Sequence, residues 1–488
     1  MAEPRRAPGE PDPFARLMTS LLHRKAISLD ALETHQRLKP TLTWAHLIPL
    51  GVGAIVGTGI YTLIGVGANL AGPAVMLSFL IAGAVCACAA LAYAEVATLI
   101  PASGSAYTYS YVVLGEIIAW VIGWSLILEY SLVVSAVAVG WSGYAVGFLG
   151  AIGVHLPAAV SAGLWAGGAV NLPAIAIIAV VAGLLMLGTR ESATVNAVLV
   201  VAKIAALGLF IAVAGPHFDA AHFRPFMPHG FFSHDIGGVR YGVMGAASII
   251  FFAFYGFDAI STAAEETRRP SRDLPIGIVG SMAVCVVIYI AVAAVAVGAM
   301  PTARFASSAE PLALILRGLG AGETAIVIGA AAVIALPTVI LAFLYGQSRI
   351  FFVMSRDGLL PSALAQVSPR TGTPIRMTLV TAVVVSVLAG LAPLDQIASL
   401  ANAGTLAAFI AVAVCLLVLR RRDPGAPRLY RTPAAWIVGP FAIAGCLYLF
   451  ANLPLKTQLF FAAWNVVGLG CYFGWRQARR LRAARSPA

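Results

Sequence analysis

Four features of this chain place polar or helix-weakening groups inside apolar runs. They are the stretch Gly53-Ala54-Ile55-Val56-Gly57-Thr58-Gly59-Ile60, Glu129, Lys203 and Asp258. Each glycine weakens a helix by about 1 kcal/mol against alanine, so a break is expected within residues 53–60. At bilayer depth a break survives only where it lines a cavity or packs inside protein, because freed N–H and C=O groups find no water there. Those freed groups can bind a solute. Small residues four apart, Gly53 and Gly57, equally let two helices approach closely. A second stretch, Phe252-Ala253-Phe254-Tyr255-Gly256-Phe257-Asp258, repeats the pattern in the other half of the chain. Two breaks in matching positions favour a binding site between two repeats.

The chemistry of such a site follows from its backbone. A half-helix N-terminus offers N–H donors and a positive dipole end to an anionic group, and unwound carbonyls accept from an ammonium. A zwitterion fits both. Gly57, Thr58 and Gly59 are expected to hold a carboxylate, and the carbonyls of Ile55, Ala253 and Phe254 an amine. Around Gly256, the aromatics Phe252, Phe254 and Phe257 can cover the substrate as a gate, though each alone also reads as core.

Lys203 stands some ten residues into its apolar run, roughly 15 Å along a helix, too deep for its stem to reach either interface. A charged lysine at such depth costs on the order of 2.5–3.5 kcal/mol, which marks it as functional by default. It reads as a proton-coupling group, favoured in its charged form by carbonyls near Ile55 and by Thr338 beside Pro337. The competing reading is an ion pair that joins two helices. Glu129 and Asp258 are candidate partners for Lys203, for a substrate cation or for the gate, with Glu129 the second candidate for the proton. The sequence leaves that pairing open. Glu95, Glu265 and Glu266 lie at the inner ends of their runs and read either as a gate network with arginines or as solvated helix ends.

The elements that must position these groups are membrane spans. Composition is 60% hydrophobic and 10% charged, far from the roughly 25% charged of a soluble domain. Apolar runs fall at 45–69, 73–99, 115–148, 173–188, 193–215, 241–264, 276–299, 323–352, 375–393, 395–419, 434–453 and 457–475, twelve expected helical spans. Of the 31 lysines and arginines, only Arg224, Arg240, Arg304, Arg317 and Lys456 fall in loops on the outer side, and Lys203 lies within a span. The rest sit in the tails and inner loops, so the positive-inside rule puts both termini in the cytoplasm of a multi-pass cell-membrane protein. The net charge of +11 is thus explained by topology and gives no call for nucleic acid.

Residues 1–40 read as a polar tail without a cleavable signal, carrying a short amphipathic stretch at 14–22, and residues 476–488 as a basic tail. The six cysteines fall in apolar spans and read as small buried hydrophobes; Cys86 and Cys88 diverge on a helix, which argues against a metal site. His217, His222, His229 and His234 share the outer loop at 216–240. Their irregular spacing favours a solvated loop over a metal or pH site. No phosphate loop of the Gly-x-x-x-x-Gly-Lys-Ser/Thr kind is present, which disfavours a primary pump, and no nucleophile–base pair points to an enzyme. No cofactor is called for. A receptor that binds an amino acid without moving it is the remaining alternative.

At these residues the chain resembles the amino acid–polyamine–organocation superfamily, most closely the bacterial members of its cationic amino acid transporter family. The resemblance is carried by Gly53–Ile60, by Ala92-Tyr93-Ala94-Glu95 through Pro101-Ala102-Ser103-Gly104-Ser105-Ala106-Tyr107, and by Gly123-Trp124 with Leu128-Glu129-Tyr130. It continues through Gly256-Phe257-Asp258-Ala259-Ile260-Ser261-Thr262-Ala263-Ala264-Glu265-Glu266, Arg272-Asp273-Leu274-Pro275 and Ser355-Arg356-Asp357-Gly358-Leu359-Leu360-Pro361. It implies an all-α membrane fold with a five-plus-five inverted repeat (41–215 and 241–422, the first and sixth helices discontinuous), two added helices at 423–475, and amino acid uptake by alternating access. It also implies that Gly57, Thr58 and Gly59 hold the carboxylate, and that Lys203 stands where sodium-coupled relatives bind sodium. Proton-coupled symport is the expected mode, exchange the alternative. Some animal members have more spans, so their substrate preference does not transfer freely. Since Asp258 and Glu129 are the carboxylates placed deep in the spans, small neutral amino acids rank level with arginine and lysine.

Overall fold

In an apolar medium each segment must satisfy its own backbone donors and acceptors, and the alanine-, leucine- and valine-rich runs do so as helices. The computed structural model describes residue 24 and residues 42–100, 104–187, 193–262, 267–361 and 375–485. Glu265, Glu266 and the expected amphipathic stretch at 14–22 lie outside the described residues. The chain begins with α1 (Trp44–Ile55), α2 (Thr58–Tyr61) and α3 (Leu63–Ala71), then α4 (Val75–Leu99), the short α5 (Ser105–Val113) and the long α6 (Glu116–Ala151). Next come α7 (Leu172–Met186) and α8 (Ala193–Ala214), followed by an antiparallel pair, β1 (His234–Ile236) and β2 (Val239–Tyr241). Then follow α9 (Val243–Ile250), a 3-10 turn (Phe251–Phe254), α10 (Phe257–Thr262) and α11 (Pro270–Ala299). The last part holds α12 (Pro311–Gly318), α13 (Gly322–Ala335), α14 (Pro337–Arg356), α15 (Ile375–Leu391), α16 (Leu394–Arg422), α17 (Ala435–Ala451) and α18 (Leu455–Arg485).

Among the described residues six helical segments are long and apolar enough to cross a membrane, or up to seven if α17 and α18, bent by 111° at their junction, count as one span. Four shorter apolar helices accompany them: α1, α7, α15 and the segment Val243–Phe254. The protein is therefore an all-α membrane protein. The run expected at 323–352 divides at Leu336, where Pro337 removes a backbone donor at the start of α14.

Three devices set the frame around the breaks. Trp124 and Trp464 exchange indole-to-carbonyl hydrogen bonds at 2.9 and 3.0 Å with rings stacked 4.8 Å apart, and Trp120 donates to the Gly468 carbonyl at 2.8 Å. They fasten α18 onto α6. Leu42, just ahead of α1, pairs with Thr267, and its carbonyl accepts from the Arg268 N–H at 2.8 Å. The chain entering the first broken helix is thereby tied to the chain leaving the second. At the other end, the Gly242 N–H donates to the Leu70 carbonyl at 2.9 Å, joining α3 to the start of α9. In the outer loop His229 packs at a tilt on Tyr241 and His234 stacks on it, at 5.0 and 6.4 Å between ring centroids, and His222 Nδ1 lies 2.8 Å from the Gly298 carbonyl.

Candidate functional site

The first break is two residues long. The Val56 N–H closes the last bond of α1 on the Val52 carbonyl at 2.8 Å; Val56 then turns extended (ψ 96°), and the helix resumes on the Gly57 carbonyl, which accepts from Ile60 at 3.3 Å and Tyr61 at 3.4 Å. In the second break the 3-10 turn leads into extended Tyr255 (ψ 156°) and then Gly256 at φ +107°, a left-handed conformation that favours glycine. The two breaks cross in direct contact. A side chain on Gly59 would overlap the backbone of Ala253, and one on Gly256 would overlap the carbonyl of Ala54. Gly59 and Gly256 permit the crossing, whereas Gly57 has room: a Cβ there would meet Val339 Cγ2 at 3.4 Å, an ordinary contact.

Beside the crossing is a small cavity, with room for about one water molecule. The first break lines it with Ala54, Ile55, Gly57, Thr58 and Gly59, and the second with Phe252 and Tyr255. Val133 and Val137 of α6 and Val339 and Phe343 of α14 complete an apolar wall. Phe254 and Phe257 turn elsewhere: Phe254 packs on Tyr289 at 5.3 Å and Phe79 at 6.3 Å, Phe257 on Tyr93 at 5.6 Å and Phe409 at 5.0 Å. Tyr255 and the valines carried no sequence signal, since an apolar residue on a lining face looks like one in the core.

The freed carbonyls already have protein partners. Lys203, fully buried, donates from Nζ to the Gly53 carbonyl and to Thr338 Oγ1, each at 2.9 Å. Its own backbone carbonyl accepts from the Tyr61 hydroxyl at 3.1 Å, so this one residue touches both halves of the first broken helix. Tyr289, which sequence reasoning missed, donates from its hydroxyl to the Ile55 carbonyl at 2.9 Å. A carbonyl has two lone pairs, so a ligand amine can share it. Asp258 accepts from the Tyr130 hydroxyl at 3.3 Å. Glu129 is buried against Gly404 of α16, its Oε2 without a hydrogen-bond partner. Neither carboxylate lines the cavity.

Glu95 stands apart from the crossing. It is fully buried at the end of α4, and its carboxylate accepts four hydrogen bonds. Arg420 donates from Nε at 2.8 Å and Nη2 at 2.7 Å, Arg428 from Nε at 3.0 Å, and the Thr432 N–H at 2.7 Å. Glu95 is thus bonded to arginines and is not a solvated helix end. The network joins α4 to α16 and the loop that follows it, not to either break.

An all-helical membrane bundle in which two interrupted helices enclose a small cavity with their own freed backbone is the architecture of secondary transporters. The amino acid permease family pattern matches residues 42–473, and the chain belongs to that family, within the amino acid–polyamine–organocation superfamily. It is 44% identical to a branched-chain amino acid permease of Bacillus subtilis, over 93% of this chain and 97% of that protein. Similarity extends to a methylthioribose transporter of the same organism, 42% identical over 93% and 98% of the two chains. A vacuolar cationic amino acid transporter 4 of Arabidopsis thaliana is 36% identical over 83% of this chain and 68% of its own length. The protein is a membrane transporter and not an enzyme.

Proposed function

We propose that the protein is a proton-coupled symporter of neutral amino acids, with branched aliphatic ones foremost, working by alternating access. The observation that carries this reading is the cavity itself: backbone of the first break on one side, Val133, Val137, Val339 and Phe343 on the other. N–H groups of residues 57–59 receive the carboxylate, and carbonyls of the two breaks, Ile55 among them, receive the amine. The valine wall buries an aliphatic side chain, at about 25 cal/mol per Å² removed from water. A cationic side chain would meet no carboxylate among the lining residues. The name of the most similar relative cited here agrees with the aliphatic preference.

Lys203 is the coupling group. Charged, it bridges Gly53 of the first broken helix and Thr338 of α14. Deprotonation toward the cytoplasm releases that bridge and lets the half-helix move. The helices are arranged as two five-helix inverted repeats with α17 and α18 added, and both termini are cytoplasmic. Purified protein in liposomes should accumulate leucine under an inward proton gradient, with sodium making no difference. Uptake only when an amino acid is loaded on the opposite side would make it an exchanger. Methylthioribose has neither ammonium nor carboxylate, so its accumulation in place of leucine would overturn the zwitterion reading.

A further inference from the structure

Asn402 lies in α16, fully buried and outside the cavity, and both ends of its amide are bonded. Nδ2 donates to the Ser248 carbonyl at 2.6 Å and the Ile249 carbonyl at 3.0 Å, and Oδ1 accepts from the Tyr255 hydroxyl. The orientation of the amide is unambiguous, because two carbonyls face one end and a hydroxyl the other. These partners bracket the second break. Ser248 and Ile249 end α9, and Tyr255 follows the 3-10 turn that replaces its next helical turn. Of the turn and Tyr255, two rings reach the cavity, Phe252 and Tyr255, tilted by 46° with centroids 5.0 Å apart.

We propose that Asn402 is a positioning residue that sets the size limit of the substrate pocket by holding Tyr255 at its hydroxyl. The inference rests on the functional reading above, in which the substrate side chain sits between that ring and the valines of α6 and α14. Tyr255 is joined to the backbone at one end and to α16 at the other, so its ring cannot swing away from a larger ligand. The hydroxyl is buried, with Asn402 as its hydrogen-bond partner and Thr405 beside it on the same helix. An asparagine is suited to this place by its two kinds of end. Leucine has the same branched outline, though it is bulkier, and can neither accept from Tyr255 nor cap the two carbonyls.

The test uses the full-length protein in liposomes, with labelled leucine competed by unlabelled leucine and phenylalanine. In the unaltered protein leucine should compete far better than phenylalanine. Asn402→Leu and Tyr255→Phe should each raise KM for leucine and narrow the leucine-to-phenylalanine gap by about tenfold, with Vmax changed less. The double variant should be no worse than the more affected single one, since both remove the same contact. If Asn402→Leu fails to fold, Tyr255→Phe, which loses a single oxygen, carries the test. Unchanged selectivity in variants that still transport, or effects that multiply, would overturn the inference while leaving amino acid transport intact. Phenylalanine accepted as readily as leucine by the unaltered protein would overturn the size limit itself. An unaltered protein that moves no amino acid would instead bring down the functional reading, and this inference with it.

Discussion

Gly57 and Gly59 differ in the room around them, so substitutions there test binding and folding separately. At Gly57 a branched side chain would enter the cavity beside Val339 without striking backbone. Gly57→Val should therefore abolish leucine uptake and the thermal stabilisation that leucine confers, with the apo protein unfolding near its usual temperature. Gly59→Val should instead lower the yield of folded protein, because the new Cβ collides with the Ala253 backbone. Equal loss of fold in both would remove the distinction. Lys203→Met keeps length and loses the bonds to Gly53 and Thr338. Gradient-driven accumulation should disappear, and leucine exchange across equal pH should persist. Accumulation with unchanged pH dependence would make Lys203 a structural cation and turn attention to Glu129. Tyr289→Phe removes one hydroxyl from the Ile55 carbonyl, a bond of about 1 kcal/mol, so KM should move severalfold in either direction at constant expression.

At the scale of elements, the buried carboxylate of Glu95 decides how α4 meets α16 and α17. Arg428 is 1% exposed in its side chain and Arg420 20%, so removing their partner strands buried charge. Glu95→Ala should cost about 3–5 kcal/mol, read as a large fall in unfolding temperature of the purified protein. Because the network avoids both breaks, variants that still fold should keep the KM for leucine. A changed KM with unchanged stability would place Glu95 in the gate. The same reasoning separates the frame from the moving parts: the tryptophan pair between α6 and α18 is closed on itself, whereas the ties at Leu42 and Leu70 bind one broken helix to the other. Such ties couple the two broken helices at both ends.

For the whole molecule, the distribution of basic residues predicts that both tails share the side of the Arg420–Arg431 loop. A cysteine introduced at Ser486 should resist an impermeant thiol reagent on intact cells, whereas one at Ile236, in the exposed β1 strand, should react. Cys471, the exposed native cysteine, is removed from the background first. Labelling of both positions at one rate would overturn the orientation. Selectivity belongs to this scale as well, since the pocket wall comes from α6 and α14, far from the breaks in sequence. Leucine, isoleucine and valine should compete for uptake better than arginine or lysine; arginine as the strongest competitor would point to a cationic subsite near Glu129.

Membrane embedding, the helical class, the two interruptions and the depth of Lys203 were legible from residue types alone, because lipid leaves few solutions for a long apolar chain with misplaced glycines and charges. The pairing of Lys203 with Thr338 was readable too, as Pro337 marks where α14 begins. Tertiary structure alone decided which glycine has room for a side chain and which lies against another backbone, since that depends on where the two breaks cross. It alone recruited Tyr289 and Asn402, polar groups in apolar runs whose partners lie 234 and 147 residues away in the chain. It also turned Phe254 and Phe257 into packing and put Tyr255 on the cavity wall. Side-chain direction at a break follows no helical period, so neighbouring aromatics give no sign of which will meet the substrate.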